Sequence, residues 1–108
     1  ERWFTPAFTA AEPARVEDIL QRFVATPVAG YVGCCHAVAT ADFRDSLAQI
    51  RVPTLAIAGD DDPVCPPADL HAIARGVAHG HAVTVPGRHI CNIQSADAFT
   101  AALTAHLT

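Results

Sequence analysis

Residues 54–67, TLAIAGDDDPVCPP, constrain the fold of this chain more than any other stretch. The run from Thr54 to Ala58 is almost wholly apolar, which is typical of a strand buried on both faces. Gly59 then allows a sharp turn, three aspartates follow it, and the prolines beyond them favour the start of a helix. Ligands of open α/β sheets bind at the carboxyl ends of strands, so this rigid acidic loop is a candidate functional element.

The pattern of strand, turn and helix occurs a second time. A helix is predicted from Pro67, a second strand over residues 81–85, a turn over residues 86–89, and a last helix that Ser95 can cap. The order strand, helix, strand, helix predicts two parallel strands joined by a right-handed crossover. The positions of the two helices that are predicted to face inward are Leu70, Ile73, Ala74, Val77, Phe99, Ala102, Leu103 and Leu107.

Before Pro53 the sequence predicts helices only. We expect a packed loop over residues 1–10, an amphipathic helix from Pro13 to Thr26, and a short helix that Asp42 can cap. Between them lies a further helix that carries Tyr31, Cys34, Cys35 and Val38 on one face. The chain is thus predicted to be α/β, with a helical lid segment over residues 1–52 and a βαβα core portion over residues 53–108.

Two parallel strands are too few to form a stable sheet alone, because parallel sheets need covered faces and edges. We therefore expect further strands from an N-terminal part of the same protein, or a second copy that covers the sheet edge. The first residue is Glu1 and the sequence has no Met, so we expect the chain to be a fragment or a processed product.

Composition excludes several classes of protein. A hydrophobic content of 51% argues against a disordered segment, and seven scattered Arg with a net charge of −4 predict no nucleic-acid partner. No apolar run approaches the ~20 residues that span a bilayer, so no membrane partner is expected. Four Cys, two of them adjacent, do not resemble a secreted disulfide framework and favour a cytoplasmic setting.

Asp62 and His89 follow the two predicted strands and should lie at the same edge of the sheet. A carboxylate beside an imidazole can fix the tautomer of the ring and stabilise the imidazolium that forms when the ring takes a proton. Isolated Asp and His residues are more often a helix cap and a turn residue. The joint occurrence of strand, acidic turn, helix, strand and Gly-x-His turn favours the functional interpretation.

Several stretches of the chain are similar to a known family. Residues 59–64 (GDDDPV) and 87–89 (GRH) resemble the C-terminal third of an α/β-hydrolase. Residues 2–6 (RWFTP), 30–35 (GYVGCC) and 88–93 (RHICNI) resemble 3-oxoadipate enol-lactonases more narrowly, over nearly the whole chain. The resemblance implies that Asp62 is the triad acid, His89 the triad base, the segment before Pro53 the lid, and Trp3 a residue of the substrate pocket. It also implies lactone hydrolysis in the breakdown of aromatic compounds, with no cofactor.

The sequence departs from this family in one respect. It contains no Gly-x-Ser-x-Gly motif, which carries the nucleophile of the family, so the chain alone is expected to be inactive. Residues 33–37 (GCCHA) offer a substitute, a nucleophile elbow centred on Cys35. The helical pattern around it favours buried Cys instead.

Other functions stay open. The chain could serve another ester or lactone hydrolase of the same fold, or be a catalytically silent association module. No metal site is predicted, because Cys34, Cys35 and His36 are contiguous and His71, His79 and His81 have no regular ligand spacing. Cys65 and Cys91 should lie near the Asp62 and His89 loops, where space-filling residues are expected rather than a redox pair.

Overall fold

A run of helices precedes an alternation of strands and helices in this chain. The structure, a computed structural model, describes residues 2–108. Its elements are α1 (Pro6–Ala11), α2 (Pro13–Val24), α3 (Val28–Thr40), a 3₁₀ helix (Arg44–Gln49), β1 (Thr54–Gly59), α4 (Pro67–Gly76), β2 (Gly80–Val85), α5 (Cys91–Gln94) and α6 (Ala96–Leu107).

The two strands pair in parallel, as predicted, in a register that runs from Thr54 opposite Gly80 to Gly59 opposite Val85. Helix α4 connects them and, like α6, contacts both strands. Ala56, Ala58 and Val85 are buried. Leu55 and Ile57 are only half-buried, so β1 is less enclosed than its apolar sequence predicts. Successive side chains of a strand point to opposite faces, so the face that carries Leu55 and Ile57 is less covered than the face that carries Ala56 and Ala58.

The prediction of a loop over residues 1–10 holds for residues 2–5 but is wrong for residues 6–10, which belong to α1; residue 1 lies outside the described part. Helix α1 begins at Pro6 because Thr5 caps it: the Thr5 Oγ1 accepts the backbone N–H of Phe8 at 3.3 Å. Pro6 then fills the first helical position, where its missing N–H costs nothing. The prediction overlooked this capping signature of Thr5 and Pro6. The rings of Phe4 and Phe8 stack with their centroids 5.1 Å apart.

Helices α2 and α3 form where the sequence predicts them, and α2 ends ahead of Pro27. The predicted face of α3 is not packed, since Tyr31 is 49% and Val38 77% exposed. The helix after it is 3₁₀ rather than α, and Asp42 binds the Arg44 backbone N–H at 3.1 Å.

No single helix among residues 2–108 is long and apolar enough to cross a membrane. Only α2 and α3 taken together, bent by 91° at their junction, reach that length and composition, which is weak evidence.

Ser95 stands at the N-cap position of α6 but does not cap it. Its hydroxyl instead donates to the carbonyl of Pro86 at 2.6 Å and so ties α6 to the end of β2. Leu103 and Leu107 are exposed, contrary to the prediction, whereas Phe99 and Ala102 are half-buried. Helical periodicity identifies an apolar face but does not supply the surface that would bury it.

Candidate active site

The loops after β1 and β2 are joined by three successive side-chain contacts. Three consecutive carboxylates of the first loop each reach a different residue of the second. Asp60 Oδ1 accepts the Gly87 N–H at 2.8 Å, Asp61 Oδ2 pairs with Arg88 Nε at 2.7 Å, and Asp62 Oδ2 lies 3.0 Å from His89 Nδ1. Paired residues of the strands are 26 positions apart, whereas these loop contacts join residues 27 positions apart, so the pairing shifts by one residue beyond the strands and brings Asp62 to the imidazole.

Two glycines allow the loops to approach this closely. A Cβ on Gly59 would lie 2.5 Å from the carbonyl oxygens of both Gly87 and Arg88. Gly87 itself has a φ of 119°, in the left-handed region that side chains disfavour. Backbone bonds from Asp60 N to Val85 O (2.9 Å) and from Asp61 N to Gly87 O (3.0 Å) complete the junction.

The Asp62 carboxylate is buried and fully engaged. Its Oδ1 accepts the backbone N–H groups of Val64 at 2.8 Å and Cys65 at 3.1 Å, which leaves Oδ2 for His89. Burial acts to raise the pKa of Asp62, but the hydrogen bonds from His89, Val64 and Cys65 outweigh it and lower the pKa below its ordinary value. Asp62 is therefore an ionised acceptor at neutral pH.

An ionised carboxylate can only accept hydrogen bonds, so Nδ1 of His89 carries the proton of this contact. The neutral ring then presents Nε2 as a proton acceptor. The side chain is 36% exposed, so the ring remains accessible. Asp62 and His89 are thus brought together in the orientation of an acid–base pair.

The N-terminal segment holds the His89 loop from the other side. The backbone N–H of Ile90 donates to the Trp3 carbonyl at 3.1 Å. Thr5 and Gln94 exchange two bonds, from Thr5 N to Gln94 Oε1 at 3.1 Å and from Gln94 Nε2 to Thr5 Oγ1 at 2.8 Å. Sequence reasoning missed both residues, because no local pattern links positions 89 residues apart.

Trp3 lies beside α2. Its ring meets Phe23 edge-on at 5.0 Å and lines a cavity of about 450 Å³ with Leu20 and other mainly apolar residues. Neither Asp62 nor His89 is among the described residues that line this cavity. The substrate-binding role of Trp3 therefore stays a prediction.

No protein-family model matches the chain. It is 36% identical over 104 residues to 3-oxoadipate enol-lactonase 2 of Acinetobacter baylyi and 33% identical over 98 residues to 3-oxoadipate enol-lactonase 1 of the same organism. The crystal structure of the enol-lactonase from Burkholderia xenovorans LB400 superposes over 98% of the chain with a TM-score of 0.96 at 37% identity. The chain is a homologue of the 3-oxoadipate enol-lactonases.

A hydrolase from Pseudomonas aeruginosa PA01 also superposes, with a TM-score of 0.82 at 35% identity over 98% of the chain. These likenesses show that the two strands and their helices are part of an α/β-hydrolase fold, as predicted. The alignment with 3-oxoadipate enol-lactonase 2 includes 96% of this chain but only 39% of that enzyme. The chain therefore spans about two fifths of the length of this relative.

The nucleophile elbow at Cys35 is ruled out by the fold of this enol-lactonase homologue. An elbow needs a strained turn from strand to helix, whereas residues 33–37 lie inside the continuous helix α3. No residue other than glycine has a positive φ in the described chain. Cys34 and Cys35 are exposed rather than buried, so the expectation of buried Cys was also wrong there.

Cys65 lies closer to the acid–base pair than the sequence suggested. One carboxylate oxygen of Asp62, the Sγ of Cys65 and one ring nitrogen of His89 lie within 4.8 Å of one another. Cys91 is buried as the first residue of α5, and burial raises the pKa of its thiol. His71, His79 and His81 are exposed, and they form no such group among the described residues.

Proposed function

We propose that this chain supplies the acid–base half of the active site of a 3-oxoadipate enol-lactonase. The observation that carries the proposal is the 3.0 Å contact between His89 Nδ1 and Asp62 Oδ2 at the carboxyl ends of neighbouring strands. His89 is the proposed general base and Asp62 the carboxylate that orients it. The enol-lactonase names of the relatives suggest the substrate class.

In this proposal, His89 moves protons in both halves of the reaction. Its Nε2 takes the proton of a nucleophilic hydroxyl as that oxygen attacks the lactone carbonyl. The resulting imidazolium, stabilised by Asp62, returns the proton to the ring oxygen that leaves, which opens the ring as an enol. Nε2 then takes a proton from water as its oxygen attacks the acyl carbonyl, and the imidazolium returns that proton to the oxygen of the nucleophile as the acyl bond breaks and the acid is released.

The nucleophile has to come from residues outside this sequence, since no Gly-x-Ser-x-Gly motif is present. The free edge of β1 is where a further parallel strand would pair. We therefore propose that the partner of this chain is the remaining portion of the same hydrolase, and that the helices of residues 1–52 cover the substrate. A second copy could cover the edge but could not provide a nucleophile.

A chimera tests the function directly. The matching portion of the A. baylyi enol-lactonase 2 is replaced by this chain, and hydrolysis of the enol-lactone is followed at neutral pH. We expect the chimera to be active, the chain alone to be inactive, and His89→Gln to lower kcat at least ~10³-fold. His79→Gln, an exposed histidine beyond α4, is the matched control and should not change kcat.

The same chimera separates this function from its alternatives. An active chimera that keeps its rate after His89→Gln would overturn the proposed role of the pair. A folded chimera that hydrolyses simple esters but not the enol-lactone would instead favour another ester or lactone hydrolase. Inactivity of a folded chimera on every ester would favour the silent association module.

A further inference from the structure

We propose that Asp62, Cys65 and His89 form a binding site for a thiophilic divalent cation, for which Zn²⁺ is the probe. One carboxylate oxygen, one sulfur and one ring nitrogen lie within 4.8 Å of one another at the carboxyl edge of the sheet. Imidazole, thiolate and carboxylate are the three ligand types of Zn²⁺ sites. Three protein ligands leave the fourth position of a tetrahedron open.

The spacing is close to what such an ion needs. Ligands at 2.0–2.3 Å from a tetrahedral Zn²⁺ are about 3.3–3.8 Å apart, and the three atoms, all within 4.8 Å of one another, have to shift by no more than about 1 Å. Cys65 and Asp62 sit on one turn, which the bond from Cys65 N to Asp62 Oδ1 at 3.1 Å already fixes. The side-chain contacts between the two loops hold His89 against the same turn. A small rotation of the Cys65 side chain is therefore the main adjustment.

The surroundings of Cys65 also favour a cation. The Asp62 carboxylate belongs to the cluster, and Asp69 follows in the first turn of α4. Their negative charges attract a divalent ion, and a bound ion stabilises the thiolate. On binding, Cys65 releases its proton to solvent and one nitrogen of the neutral His89 ring gives its lone pair to the metal; for Nδ1 to bind, the ring proton has to move from Nδ1 to Nε2.

Binding of Zn²⁺ to His89 and general-base catalysis by His89 would exclude each other, because both need the free nitrogen lone pair of the neutral ring. Zn²⁺ would thus act as a reversible inhibitor of the proposed hydrolase. The binding itself does not depend on that function, and it is measured below without any hydrolysis. A negative result would leave the proposed function intact.

Protection from alkylation tests the site in the unaltered chain. Cys65 is exposed, so iodoacetamide should label it, and the rate can be followed at each Cys by peptide mass spectrometry. We expect Zn²⁺ to slow alkylation of Cys65 at least tenfold. An unchanged rate at Cys65 in Zn²⁺ up to the millimolar range would overturn the proposal.

Two matched substitutions give an independent measure of affinity. Zn²⁺ binding is titrated against a chromophoric chelator in the unsubstituted chain, in Cys65→Ser and in Cys34→Ser, with circular dichroism to compare their folding. Both Cys side chains are exposed, but only Cys65 belongs to the cluster. Cys65→Ser should weaken binding at least ~10-fold, whereas Cys34→Ser should not change it. Equal affinities for Cys65→Ser and the unsubstituted chain would contradict the site.

Discussion

The loops at the ends of β1 and β2 and the helices α2 and α3 are held in place in different ways. The loops are joined by backbone bonds, an ion pair and the buried carboxylate of Asp62, all between residues about 27 positions apart. Helices α2 and α3 contain no buried residue, and the rings of Phe23 and Tyr31 meet edge-on at 5.6 Å between them.

This difference matches the tasks we assign to the two regions. A proton acceptor has to stay within a fraction of an ångström of its productive position, and a network of directional bonds can fix it there. A lid over a substrate has to move or adapt, for which a few apolar contacts suffice. From this assignment we expect substitutions at the strand ends to lower kcat or the free energy of unfolding much more than equivalent substitutions in α2 and α3.

The largest effect is expected from Asp62→Asn in the active chimera. An amide can donate to Nδ1 and so favour the tautomer in which Nε2 carries the proton, which blocks the base. We expect kcat to fall about 10⁴-fold with little change in KM. Asp61→Asn is the matched control, since Asp61 pairs with Arg88 rather than His89, and it should keep most of the rate. Equal losses for both variants would mean that the loop contacts, and not the acid, matter.

A pair of glycine substitutions compares the two regions in the chain itself. Gly59→Ala places a methyl group 2.5 Å from two backbone carbonyl oxygens, which we expect to lower the free energy of unfolding by about 3 kcal/mol. Gly33→Ala in α3 meets no atom within 4 Å and should raise it by about 0.5–1 kcal/mol. Urea unfolding measures both, and a harmless Gly59→Ala would contradict the close approach of the loops.

The titration of Asp62 should change the free energy of unfolding by a smaller amount, and only at acid pH. Its pKa is lowered in the folded chain and ordinary, about 3.9, in the unfolded chain. Its stabilising contribution is thus fully present above the ordinary value and is lost as pH falls through the folded pKa. Urea midpoints between neutral and strongly acid pH should fall less steeply in Asp62→Asn than in the unsubstituted chain. Asp61→Asn should keep the original slope.

Much of the fold was predictable because each element carries its own local signal. Apolar runs gave the strands, prolines marked helix starts, and the order of elements gave their parallel pairing. The site was predictable only in part. Asp60, Asp61 and Asp62 are chemically alike in the sequence, and the local pattern alone cannot say which one meets His89. The contacts between the two loops decide this, and they depend on how the loops pack against each other beyond the paired strands.

Contacts between distant residues explain the errors as well. The bonds between Thr5 and Gln94 join positions 89 residues apart and depend on tertiary packing. The shared face of α3 that carries Tyr31 and Val38 is exposed, because an apolar stripe does not reveal what will cover it. The boundary between a lid over residues 1–52 and a core over residues 53–108 stays a prediction.

The smallest expected effect concerns the aromatic contact between α2 and α3. Phe23 and Tyr31 meet with an interplanar angle of 87°, and such edge-to-face pairs contribute about 0.5–1.5 kcal/mol beyond the area they bury. A double-mutant cycle of Phe23→Leu and Tyr31→Leu, measured by urea unfolding, should give a coupling energy near 1 kcal/mol or less. A control cycle of Phe23→Leu with Val38→Ala, a residue that is 77% exposed on the same helix as Tyr31, should give no coupling. A coupling energy several times larger would mean that these helices are as firmly held as the strand ends, and the contrast between the two regions would then fail.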